Sequence, residues 1–141
     1  MSAVDVQSHL PTLLLLARVL LVCMFPFSAL DKVLHWNDAL KQANSGWLPG
    51  GPVLLVLAMI TEVVTPVCIV AGWHAELAAL VLMAFCVATA LIYHPFWTQG
   101  DFWAQGDSVA RSHFWDFTKN LGLAGGLLLV VLGVSFTGGI R

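Results

Sequence analysis

From Pro52 to Gly72 the chain reads PVLLVLAMITEVVTPVCIVAG. Glu62 is the one charged residue in it, and as a helix rising 1.5 Å per residue the stretch reaches roughly 30 Å, the thickness of a bilayer's hydrocarbon core. A helix satisfies its backbone hydrogen bonds within the segment, as lipid demands, so this run predicts a transmembrane helix. Pro52, following Gly50-Gly51, stands where a first helical turn tolerates a residue without an N–H. Similar runs lie at Leu10–Leu34, Glu76–Ile92 and Phe117–Phe136. Together they predict an all-α membrane protein: a four-transmembrane-helix antiparallel bundle forming a single transmembrane domain over residues 1–141.

Composition supports that reading. Of 141 residues, 59% are hydrophobic and 10% charged, against about a quarter charged in a soluble domain. A water-soluble fold of this size has too little polar surface to cover so much apolar area. The first run lacks the basic start and the Ala-x-Ala site of a signal peptide, so it reads as a retained helix. With a net charge of −2, no basic patch suggests nucleic acid, and no lipidation motif is present. Cys23, Cys68 and Cys86 fall inside apolar runs without Cys-x-x-Cys spacing or nearby metal-ligand histidines, so they read as small buried hydrophobes and no metal site is expected.

Pro26 and Pro66 lie within spans, where each frees a carbonyl four residues back, of Val22 and Glu62, and predicts a bend. The segment Trp36–Trp47 predicts a short interfacial helix bracketed by tryptophans. Gly72-Trp73-His74-Ala75 makes a tight hairpin of the second and third spans. Ala75, Ala79, Ala84 and Ala88, with Gly122 and Gly126, have the small-residue spacing that lets helices approach closely.

Four antiparallel crossings put the connections 31–52 and 94–116 on one side of the membrane. That side collects Asp31, Lys32, His35, His94, His113, Asp116, Lys119 and Asn120, ringed by Trp36, Trp47, Trp97, Trp103 and Trp115. Lys32, Lys41, Arg111 and Lys119 on it, against Arg141 opposite, place this face in the cytoplasm by the positive-inside rule. Glu62 lies mid-span, where an ionisable group needs a partner. Arg18 is within reach in depth, which predicts an Arg18–Glu62 pair serving either helix register or proton and ligand handling. Lys32, His94, Trp97, Lys119 and Asn120 form the expected ligand site. His94 equally suits a helix end, and Lys119-Asn120 equally suits headgroup contact.

Several of these segments resemble the DoxX family of small bacterial membrane proteins. They are Arg18, Phe27-Ser28-Ala29-Leu30-Asp31-Lys32, Glu62 ahead of Gly72, His94-Pro95-Phe96-Trp97, and Phe117-Thr118-Lys119-Asn120-Leu121 through Gly125-Gly126-Leu127-Leu128-Leu129. Ser28-Ala29 stand where many members have glycine. The resemblance implies a bacterial cytoplasmic (inner) membrane location, a bundle similar to vitamin K epoxide reductase-like proteins, and association with quinone-linked oxidoreductases or thiol-stress systems. The reductase's vicinal cysteines are missing, so its chemistry does not carry over.

Two functions follow as expectations. One is a membrane subunit of a redox system that binds quinone or lipid at the polar face. Because no haem, iron–sulfur or flavin signature occurs and no cofactor is expected to be covalently bound, any catalysis would belong to a complex with other membrane subunits rather than to this chain alone. The other is a non-catalytic accessory or assembly protein packed laterally against a larger complex. No catalytic residue is assignable from either, and a stand-alone transporter is disfavoured because four helices carry no inverted repeat.

Overall fold

The computed structural model describes residues 3–100, 106 and 108–138. These form α1 (Ala3–Val22), α2 (Met24–Leu34), α3 (Trp36–Ser45), α4 (Gly51–Ala71), α5 (Ala75–Tyr93), a single 3-10 turn (Phe96–Thr98) and α6 (Val109–Gly138). Four stretches among them are long and apolar enough to cross a bilayer: Ser8–Leu34, Gly51–Ala71, Ala75–Thr98 and Val109–Gly133. The chain is an all-α integral membrane protein.

The first span is two helices in series. Pro26 offers no N–H to the carbonyl of Val22, and the break between α1 and α2 falls at Cys23, within that turn. Pro66, by contrast, leaves α4 continuous. Gly72 closes α4 in the left-handed region at φ 72° with its N–H on the Cys68 carbonyl, a conformation that costs glycine little. The fourth helix begins eight residues before its apolar run, at Val109. Ser108 accepts a hydrogen bond from the Arg111 N–H at 3.1 Å and so caps an amide that the helix start would leave unsatisfied. The early turns are polar because one face of them lines a site.

α3 is present between the tryptophans and is drawn against the bundle. Ala43 is buried, and the Tyr93 hydroxyl donates to its carbonyl at 3.4 Å. Gly46 permits the approach, since a Cβ there would lie 2.6 Å from Ile92 Cγ2 and 2.8 Å from Tyr93 Cε1.

α5 is the central helix and packs most extensively on α6. Ala79, Leu82, Cys86 and Ala90 are fully buried at helical spacing along one face of α5, and Leu127 meets them in the core with Val22, Phe25, Cys68 and Ile69. The small residues expected at the contact divide. Ala75 and Ala79 are buried, whereas Ala84 and Ala88 lie off that face and are exposed. A Cβ on Gly126 would come within 2.8 Å of Leu21 Cδ1, while one on Gly122 would meet open space. Gly122→Ala is therefore expected to leave the fold intact and to raise stability by up to about 1 kcal/mol through helix propensity, with Gly126→Val destabilising. Thermal unfolding of the two variants in detergent checks the contrast. Cys68 and Cys86 are core residues as expected, but Cys23 is exposed, off the face that buries Val22 and Phe25.

Candidate functional site: a cavity between two polar walls

The first wall is built by α2 and α4. Ser28 and Lys32 are one helical turn apart and therefore share the face of α2 that meets α4. The Lys32 ammonium donates to both oxygens of Glu62 at 2.8 Å and to Ser28 Oγ at 2.6 Å. Ser28 in turn donates to Glu62 Oε1 at 3.1 Å. Glu62 is 4% exposed, and these bonds take up all three ammonium donors. The carboxylate is thus neutralised and hydrogen-bonded where lipid would otherwise make it costly.

Glu62 pairs with Lys32, and the expected Arg18–Glu62 pair is not formed. Arg18 sits level with the end of α4, its guanidinium nitrogen 3.9 Å from where a Cβ on Gly72 would be, and Gly72 is roughly 15 Å along the helix from Glu62. Arg18 instead lines an open groove with His74 and Glu76 at the opposite end of the bundle. Depth counted from span midpoints overlooked how far α1 extends toward its N-terminus beyond the α4–α5 hairpin. Ser28 was also missed as a site residue, although its spacing of four from Lys32 is the signal that finds it.

The second wall comes from the end of α5 and the first turns of α6. His94 caps α5, its N–H on the Ala90 carbonyl at 3.1 Å. Its Nδ1 lies 3.1 Å from Nδ1 of His113, so one of the two nitrogens must carry the proton and the other accept it. Asp116 Oδ2 stands 3.9 Å from His94 Nδ1, and Asp116 Oδ1 accepts from Lys119 Nζ at 2.8 Å. Asn120 Nδ2 donates to the Asp116 carbonyl at 2.9 Å. Spacings of three and four along α6 align His113, Asp116, Lys119 and Asn120 on one face.

Between the walls lies a cavity of about 530 Å³, within the size range of small-molecule sites. Lys32, Glu62, His94, Asp116, Lys119 and Asn120 line it together with apolar Phe25, Leu54, Leu55, Leu57, Phe85 and Ile92, while Ala39, Gln42 and Ala43 of α3 line it beside them. Four of the five expected ligand-site residues, Lys32, His94, Lys119 and Asn120, thus meet at one cavity. Trp97 does not line it. The turn after Pro95 carries Trp97 away to an exposed position, where its ring stands edge-on to Phe96 at 5.4 Å and to Phe117 at 5.5 Å. Phe96 also contacts Phe114 at 5.1 Å, which makes this cluster the packing that fixes the α5–α6 connection. Of the residues grouped with this face or used to orient it, Trp103 and Arg141 lie outside the described residues.

The family model described as DoxX matches residues 13–95. These cover α2 through the end of α5, including Ser28, Lys32, Glu62 and His94. Among curated proteins the chain is similar to Inner membrane protein YphA of Escherichia coli (strain K12), 27% identical over 130 residues that make up 91% of this chain and 87% of the relative. No solved structure matches it. With more than half of the sequence matched by the family model, and with the helices that the match covers carrying the Lys32–Glu62 pair, the chain belongs to the DoxX family.

Proposed function

We propose that the cavity binds the head of a membrane-soluble ligand of the quinone class, and that the chain serves as a small inner-membrane subunit supporting a quinone-linked oxidoreductase. The observation that carries this reading is the cavity's lining, in which apolar and aromatic Phe25, Leu54, Leu55, Phe85 and Ile92 share one space with a polar side formed by Lys32, Glu62, His94, Asp116, Lys119 and Asn120. Quinone carbonyls need hydrogen-bond donors and a flat apolar enclosure. Lys32 has spent its donors within the chain, so the headgroup contacts fall to His94, Lys119 and Asn120. The Lys32–Glu62 pair then acts as the rigid wall behind them.

The test uses purified full-length chain in phosphatidylcholine nanodiscs titrated with a short-chain ubiquinone analogue, binding being read from quenching of tryptophan fluorescence. Saturable binding is expected, and Lys119→Met or His94→Leu should weaken it by about tenfold, or ~1.4 kcal/mol. Unchanged binding in both variants removes the proposed site. A chain that binds no quinone yet co-purifies with a membrane complex at fixed stoichiometry is an accessory or assembly protein instead.

A further inference from the structure

His94 lines the cavity, and its side chain is only 14% exposed. His113, which no sequence signal singled out as a ligand residue, stands behind it. It does not line the cavity, but lies in the first turns of α6 directly after Arg111 and Ser112, which are exposed. The two imidazoles are therefore arranged in series, one toward the exposed start of α6 and one at the cavity, joined by the 3.1 Å contact between their Nδ1 atoms.

We propose that His113 and His94 form a proton relay that delivers protons from the start of α6 to the bound headgroup, with Asp116 stabilising the charge in passage. The inference rests on the ligand reading above. His113 takes a proton at Nε2 and releases its Nδ1 proton to His94 Nδ1. His94 is then an imidazolium with the Asp116 carboxylate 3.9 Å away, and it gives up its Nε2 proton to a basic oxygen of the headgroup. One proton enters and one leaves, and no electrons move in the step. Exchange of the ring protons with water returns both imidazoles to their starting tautomers. Histidine suits this task because both of its ring nitrogens exchange protons near neutral pH. The other titratable groups lining the cavity are Lys119 on α6, Tyr93 on α5 and, across it, Asp31, His35, Asp38 and the Lys32–Glu62 pair. Lys32 and Glu62 neutralise each other, while Asp116, bonded to Lys119 through Oδ1, turns its Oδ2 toward His94.

The experiment uses the full chain in phosphatidylcholine nanodiscs and 4-nitrophenol, an aromatic headgroup whose yellow anion and colourless acid are both populated near neutral pH. Stopped-flow mixing follows ligand association by tryptophan quenching and ligand protonation by loss of that colour. His113→Asn is expected to slow protonation by about tenfold or more while association changes little, and added imidazole should restore the rate, which it would not do for a purely structural defect. His113→Gln serves as a second variant should the first fold poorly. Nitrogen-15 NMR of the ligand-free protein should show coupling between the two Nδ1 atoms that either variant abolishes. Equal protonation rates in wild type and variants, or no coupling in the wild type, overturns the relay. If the wild type shows the coupling but binds neither 4-nitrophenol nor the ubiquinone analogue, the ligand reading has failed, and delivery to a headgroup falls with it.

Discussion

Glu62→Ala, with Lys32 left in place, is expected to lower the stability of the bundle by about 3 kcal/mol, the lower end of the range for breaking a buried ion pair. The substitution removes a carboxylate that is 4% exposed and leaves an ammonium facing Ser28 alone inside the membrane. The lower end applies because the Lys32 side chain is 21% exposed, so water at the cavity recovers part of the lost solvation. Removing both charges, as in Lys32→Met with Glu62→Leu, should restore most of the loss, since an apolar pair of similar size leaves no uncompensated charge. Ser28→Ala should cost about 1 kcal/mol, the worth of a typical hydrogen bond. Unfolding of the set in mixed micelles measures all three. If Glu62→Ala is as stable as wild type, or the double variant is no better than the single one, the pair does not hold α2 to α4.

The second large effect is in the core. Leu127→Ala is expected to destabilise the fold by about 2 kcal/mol, again at the low end for a leucine truncation. In water such a change loses both transfer energy and packing. In a bilayer the separated helix also sits among apolar chains, so the transfer term largely cancels and the cavity left beside Leu82 and Cys86 accounts for the loss. Leu129, two residues on and 70% exposed, supplies the control: Leu129→Ala should change stability by less than about 0.5 kcal/mol. The same unfolding assay reads both. Equal losses at the two positions would show that α5 and α6 do not pack through the Leu127 face.

Much of the site is legible in the sequence. Lys32, His94, Lys119 and Asn120 were expected at one membrane face because antiparallel crossings bring the ends of the first, third and fourth spans together. Topology alone suffices for that. Trp97 failed because its direction depends on the turn after Pro95, which spacing along the chain does not determine. His113 was counted with the face, but its pairing with His94 comes from a contact across nineteen residues.

Lipid allows the chain few solutions, and for that reason the spans and the hairpin at Gly72 follow from the sequence by itself, whereas only the structure shows that the helix breaks near Pro26 and runs on through Pro66. An apolar run long enough to cross must be a helix, and a proline within it must forfeit a hydrogen bond. Which charge neutralises Glu62 was decided by tertiary structure. Arg18 and Lys32 both lie on the first span at plausible depths, and only the register of α1 and α2 against α4 puts Lys32 Nζ 2.8 Å from the carboxylate and leaves Arg18 at the far end. Register is set by side-chain packing between helices, in which Phe25, Ala29 and Leu55 are all buried. Periodicity reports which residues share a face, but not how far one helix slides along another.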